Sequence, residues 1–151
     1  MKIDDLAIRF LAGTPDGVMI ADAAGDIVYW NAGCARIFGF TSVEACGQRL
    51  DIIIPENLRA RHWRGWNETM RTGATRYGAG DLLSVPALRK DGSRISVEFS
   101  ILPFRGAGGK ITAVGALMRD VTERFDEMKA LRKASAGRTQ LRPSSGAPGD
   151  G

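Results

Sequence analysis

Residues 87–101 read "ALRKDGSRISVEFSI". The second half alternates, with Ile95, Val97, Phe99 and Ile101 at every second position, the period of a strand that buries one face. Lys90-Asp91-Gly92 breaks the apolar pattern with turn residues, so "DLLSVPALRKDG" and "SRISVEFSILPF" read as the two arms of a hairpin. Downstream, "RGAGGK" turns the chain again and "ITAVGALMRDV" supplies a last strand. Upstream, "GVMIADAAGDIVYWNAG" holds two further apolar runs around the turn residues "DAAGD", a second hairpin.

The segment between the hairpins reads differently. Asn31 ends the second strand and is placed to cap "AGCARIFGF", a short helix with Ala35, Ile37 and Phe38 inward. Thr41-Ser42-Val43-Glu44 has capping-box spacing. "LDIIIPE" is an apolar run stopped by Pro55, and helical spacing returns from about Pro55 to Arg71 before the glycines of "TGATRYGAG". Five strands in two hairpin-linked groups, with short helices inserted, specify an α+β domain on one antiparallel sheet.

That domain is expected over residues 13–121. Residues 1–12 read as an amphipathic helix carrying Ile3, Leu6, Phe10 and Leu11. Over 122–134 a second helix follows, with a narrow apolar seam of Val121, Phe125, Met128 and Leu131. A seam with no core of its own asks for a partner helix, so a homodimer is expected. Residues 135–151, rich in Ser, Gly, Pro and Ala, read as a disordered tail.

Composition narrows the function classes. The chain has 151 residues, 44% hydrophobic and 25% charged, which suits one soluble globular domain. Cys34 and Cys46 stand in neither CxxC nor zinc-type spacing, which points to a reducing, cytoplasmic setting. No apolar run is long enough for a membrane span, and the opening lacks a secretory apolar core. The net charge of +4 comes without helix-turn-helix, zinc-finger or RNP-like signals, so a solvated basic face is expected rather than nucleic-acid binding. Catalysis is not expected either. Asp16 and Asp81 have no partner at acid/base spacing, one histidine cannot complete a triad with confidence, and "GAGG" at 106–109 lies in a hairpin turn. No kinase, cyclase or DNA-binding segment follows the domain in this sequence, so a signal received here is expected to leave through contact.

The order of elements, with "TPDGVMIADAAGDIVYWNAGCARIFGF", "PENLRARHWRGWNETMRTG", "ALRKDGSRISVEFSI" and "AVGALMRDVTER", resembles a PAS sensory domain over about Leu6 to Arg124. Asp120-Val121-Thr122-Glu123-Arg124 is similar to the junction by which such domains enter a signalling helix. The resemblance implies the PAS fold: a five-stranded antiparallel sheet, helices packed on one face, a small-molecule pocket between them, a C-terminal signalling helix and frequent dimerisation. It also implies sensing and two-component-type signalling, with a separate histidine kinase or other signalling protein as partner.

A more local likeness concerns His62, the only histidine. Pro55-Glu56, Arg59, His62, Met70, Thr72-Gly73 and Lys90-Asp91-Gly92 resemble, in order, the haem-binding PAS domains of FixL-type oxygen sensors. There the histidine corresponding to His62 is the proximal ligand of haem b iron, so His62 is the implied metal ligand here. Counting by three and four places Leu58, His62, Gly65, Trp66, Thr69 and Met70 on one helix face. Gly65 costs about 1 kcal/mol against alanine inside a helix, and room for a flat macrocycle would explain it. Arg59, Arg61, Arg64, Arg71 and Arg76 could pair propionates.

Two departures stand out. The glycine and aromatic after the histidine come one residue later, at Gly65 and Trp66. Leu82 and Leu83 stand near the place of the family's oxygen-binding arginine, and an apolar distal wall favours carbon monoxide or nitric oxide. The other reading of the residues stays open: a packed histidine in a cofactor-free module for dimerisation or docking. A flavin is not expected, because the N-C-R-F-L-Q string of the photoreceptor PAS domains is absent and Cys34 reads as a small buried hydrophobe.

Overall fold

The turn at Lys90-Asp91-Gly92 joins β3 (Leu83–Leu88) to β4 (Arg94–Arg105), and the alternation of β4 sets its two faces. Ile95 and Val97 are buried and Phe99 and Ile101 half-buried on one side, as the period of two requires. β1 (Gly17–Asp22), β2 (Ile27–Trp30) and β5 (Ile111–Asp120) complete one sheet in the order β2-β1-β5-β4-β3, antiparallel at every junction. The two hairpins meet where β1 pairs with β5. This computed structural model describes residues 1–78 and 80–140. It divides into two compact units that meet between Val121 and Thr122.

Within the first unit, α1 (Ile3–Gly13) precedes the sheet. α2 (Ala32–Phe38), α3 (Ser42–Ala45), a 3-10 turn (Leu50–Ile53) and α4 (Glu56–Thr72) separate the hairpins. α2 lies on the inner face: a Cβ at Gly17 would sit 3.1 Å from Cys34 Sγ and 3.3 Å from Ile37 Cδ1. The core gathers Met19, Ala21, Ile27, Trp30, Cys34, Ile37 and Phe38 with Leu50, Ile53, Ile95, Val97 and Met118. Trp30 packs its ring 5.4 Å from that of Phe38 and donates its Nε1–H to Phe40 O at 2.9 Å. The expected capping box forms, with Thr41 N–H bonded to Glu44 Oε1 and Glu44 N–H to Thr41 Oγ1. An ion pair from Lys90 to Glu44 then ties that helix to the β3–β4 turn.

Asn31 does more than cap α2. Its Oδ1 accepts from Cys34 N–H at 2.9 Å and from Val18 N–H at 2.8 Å. Its Nδ2 donates to Leu11 O at 2.8 Å and to Asp16 O at 2.9 Å. The amide is buried and uses two donors and two acceptor positions, which a planar carboxamide can supply. Close approach is needed for this, and Gly33 permits it, because a Cβ there would lie 2.0 Å from Asp16 O.

At the N-terminal end α1 forms, and Ile3, Leu6, Phe10 and Leu11 on it are exposed. In the second unit α5 runs from Thr122 to Gln140, six residues past the expected end at Ala134, because "SAGRTQ" continues the helix before the next proline. The rest of the expected tail, residues 141–151, lies outside the described residues. Phe125, Met128 and Leu131 are exposed on α5.

Replacing Asn31 by aspartate keeps the acceptor and removes both donors, leaving Leu11 O and Asp16 O facing a carboxylate. Loss of two buried bonds is expected to cost about 2–4 kcal/mol. Urea unfolding of Asn31→Asp measures it, and Asn31→Ala, which also removes the cap, should lose at least as much.

Candidate functional site

α4 begins without a side-chain cap, at Pro55, and ends where Gly73 turns into the left-handed region at φ 73°. Arg105 Nη1–H secures that end by donating to Gly73 O at 2.7 Å. Along the helix Leu58, Arg59, His62, Trp63, Trp66, Thr69 and Met70 are half-buried, whereas Arg61, Arg64, Gly65, Asn67 and Glu68 are exposed. At 100° per residue the inward arc therefore holds His62 near its middle, as the spacing predicts.

Gly65 does not belong to that arc. It is exposed, and a Cβ there would meet nothing within 4 Å, so packing in the protein alone gives no reason for a glycine. The arc turns instead toward Trp63 and Arg59, since both indoles pack on the core. Arg59 is committed as well, its Nε–H donating to Ile54 O at 3.0 Å. Of the two leucines proposed for the far wall, Leu83 is half-buried at the start of β3, paired with Phe99. Leu82 precedes the strand and is 66% exposed, which removes it from an enclosed site.

The indoles fix the helix in place. Trp63 Nε1–H donates to Asp51 Oδ1 at 2.7 Å, and Trp66 Nε1–H to Ala23 O at 3.0 Å. The Arg49 guanidinium carbon lies 4.2 Å from the Trp63 ring centroid, and Arg49 Nε is 3.6 Å from Asp51 Oδ2. Beneath Trp63 runs the β1–β2 turn, where Gly25 has φ +89° and a Cβ would fall 2.3 Å from the indole. These partners of Trp63 come from long-range packing, and sequence spacing alone did not reveal them.

His62 sits against both indoles, edge-on to Trp63 at 4.6 Å and tilted 31° to Trp66 at 5.9 Å. Its Nδ1 is buried and has no hydrogen-bond partner, the one such side-chain atom among the described residues. Burial holds the imidazole below its ordinary 6.5; the Asp51 carboxylate opposes that shift and Arg49 adds to it. A neutral ring with an unpartnered buried nitrogen is the protonation state a metal ligand needs, and the orphaned atom is the kind a guest satisfies. In that chemical sense the donor set suits haem. Arg61, Arg64 and Arg76 are exposed, while Arg71 already pairs with Glu68 at 2.7 Å.

Cys34 is buried and its thiol is pushed up to about 12 by that burial, which leaves no thiolate for covalent attachment. No cluster of three or more His, Cys, Asp or Glu side chains that could hold a metal ion occurs among the described residues. Nor is any helix among them long and apolar enough to cross a membrane.

Comparison with known proteins agrees with the fold. The PAS fold family covers residues 11–126, and the chain belongs to it. The chain is 31% identical to the sensor protein FixL of Bradyrhizobium diazoefficiens over 79% of its length and 23% of the relative's. It is 24% identical to the oxygen sensor protein DosP of Escherichia coli over 78% of its length and 14% of the relative's. It thus spans less than a quarter of either. A solved PAS domain from Colwellia psychrerythraea superposes with a TM-score of 0.68 at 18% identity, covering 81% of this chain and 99% of that one. The expected fold and family are therefore found.

Because the folded state resists protonating His62, it binds fewer protons there than the unfolded chain does. The stability this contributes is present above the ordinary value of 6.5 and is lost as pH falls below it. Urea unfolding at about pH 7.5 and about pH 5 should show a larger loss for the native chain than for His62→Gln. Equal losses would mean that the imidazole titrates freely in the folded protein.

Proposed function

We propose that the domain is a ligand-responsive sensor that acts by binding rather than by catalysis, with a small guest held between α4 and the inner face of the sheet. The specific guest is haem b, ligated by His62, reporting a diatomic gas or redox state. The observation that carries this reading is the buried, unpartnered His62 Nδ1. Haem, when bound, would supply an iron able to take a diatomic gas. The chain's own part is to keep the imidazole neutral, to shield it with Trp63 and Trp66, and to offer Leu58, Met70 and Leu83 as apolar lining. Arg61, Arg64 and Arg76 are free to meet propionates. A guest that binds one arrangement of β5 and the following helix better than another shifts the balance between them. A homodimer formed through α5, or a histidine kinase in the same or a separate chain, reads that shift, in the cytoplasm.

The second reading is a cofactor-free module for dimerisation or docking. The packing of Trp63 and Trp66 onto the core favours it, since those side chains already occupy part of the space.

Protein produced with a haem precursor is expected to show a Soret band that His62→Ala abolishes. Absence of pigment together with failed reconstitution would leave the docking module. Separately, Leu131→Asp should lower the mass seen in light scattering if the α5 seam pairs two copies, and an unchanged mass would discard that pairing.

A further inference from the structure

α4 is the longest helix of the first unit and has no buried residue, whereas α2, less than half its length, buries Gly33, Cys34, Ile37 and Phe38. What holds α4 is therefore a small set of side chains, and they are unevenly spread. The N-terminal end rests on Pro55, which is fully buried, and on the bond from Arg59 to Ile54 O. The middle is held by Trp63 and Trp66, which pack on the core and donate to Asp51 and to Ala23 O. Beyond Trp66 the anchorage stops. Arg71 pairs with Glu68, and Thr72 Oγ1–H donates to Glu68 O, so these bonds stay within the helix. Met70 is half-buried without packing on the buried core cluster.

Among the described residues, one side chain ties this end of α4 to the sheet. Arg105, the last residue of β4, donates from Nη1 to Gly73 O at 2.7 Å and to Gly109 O at 3.0 Å. A single guanidinium nitrogen thus joins the C-cap of α4 to the β4–β5 turn, and its charge faces the negative end of the helix dipole. Arg105 is exposed. The inner face of β4 loosens in the same direction: Ile95 and Val97 are buried, Phe99 and Ile101 half-buried.

We propose that Asn67–Thr72 form a flap over the site and that Arg105 is its latch. Release of Gly73 O swings Met70 away from β4 and opens an apolar way in along Ile101 and Phe99. In the sheet order β2-β1-β5-β4-β3, the β1–β2 turn that receives the indoles and the strand that carries the latch lie on opposite halves. A segment freed from β4 and still pinned at Trp66 therefore turns away from β4. Arg105 acts here as a positioning residue, through the helix end it holds. The inference rests on the guest-binding reading above and adds where the guest enters.

The test uses the full chain. Amide hydrogen exchange over Asn67–Gly73 should be about 3- to 10-fold faster in Arg105→Gln than in the native chain, the factor one net hydrogen bond is worth. Arg105→Lys, which keeps a charged donor, should restore the native rate. Exchange at Val97 and Met118 should not change in either. Arg94→Gln, which removes a 2.8 Å bond to Asn57 beside the fixed Pro55 end, should leave Asn67–Gly73 unaffected. In stopped flow, haemin should both enter and leave Arg105→Gln faster by the factor seen in exchange, with unchanged affinity. Exchange over Asn67–Gly73 that ignores Arg105, or that rises equally at Val97 and Met118, overturns the proposal. So does a faster flap with unaltered haemin rates, which would put the entry elsewhere. A chain that takes up no haemin overturns the sensing reading instead, and the exchange rates alone then decide the latch.

Discussion

The buried carboxamide of Asn31 is the constraint on which the first unit depends. One side chain meets the end of α1, the approach to β1, the first residues of β1 and the start of α2. Each of those groups is a backbone donor or acceptor that burial would otherwise leave unpaired at a cost of about 1–3 kcal/mol. Only a carboxamide supplies two donors and two acceptor positions at once, because a carboxylate donates nothing, an ammonium accepts nothing and a hydroxyl has a single proton. The bond to Val18 N–H sits beside the pairing of β1 with β5, and that pairing joins the hairpins. Register in the centre of the sheet is therefore fixed close to the point where the first helix is capped, and Gly33 is the condition that lets the strands' approach come so near.

A second, weaker set of contacts positions α4. Trp63 is held from four sides, by Asp51, Arg49, Gly25 and the core, and Trp66 is tied to the β1–β2 turn through Ala23 O. Partly exposed cation–π and indole bonds contribute only about 1 kcal/mol each, yet together they set the rotation of the helix. The indoles take over the anchoring, and His62 Nδ1 is left buried without a hydrogen-bond partner. A histidine that mattered only for packing would be expected to turn its nitrogens to water or to a carbonyl. This imidazole instead keeps one nitrogen buried and idle while its helix is secured by others.

Much of this was legible beforehand, for identifiable reasons. The strands of the 87–101 hairpin announced themselves because one face is buried and the other is not, so a period of two survives in the sequence. The cap at Asn31 and the Thr41–Glu44 box are local, and local hydrogen bonding leaves a local signature. The inward direction of His62 followed from helical spacing. Gly65 and Leu82 were misplaced because spacing fixes the face of an element but not where the arc ends, and the arc was decided by Trp63 settling on Gly25, 38 positions away in sequence. The end of α5 was missed because Ser and Gly in "SAGRTQ" weaken a helix without breaking it, and Ala136 between them favours it. α1 was recognised as amphipathic, but a pattern on one helix cannot say whether its apolar side is buried, and here it is exposed.

The two faces of the sheet are built from the same strands, and this connects the site to the surface opposite. Ala116 and Met118 point toward the helices while Leu117, between them, points away; Phe99 and Ile101 point inward while Ser100 and Leu102 point outward. In a strand, neighbouring side chains share a rigid peptide plane, so a displacement that relieves or tightens packing on one face is carried to the other without a chain of intermediates. The guest proposed for the inner side would therefore act on strands whose outer side chains cannot stay where they are when the inner ones move.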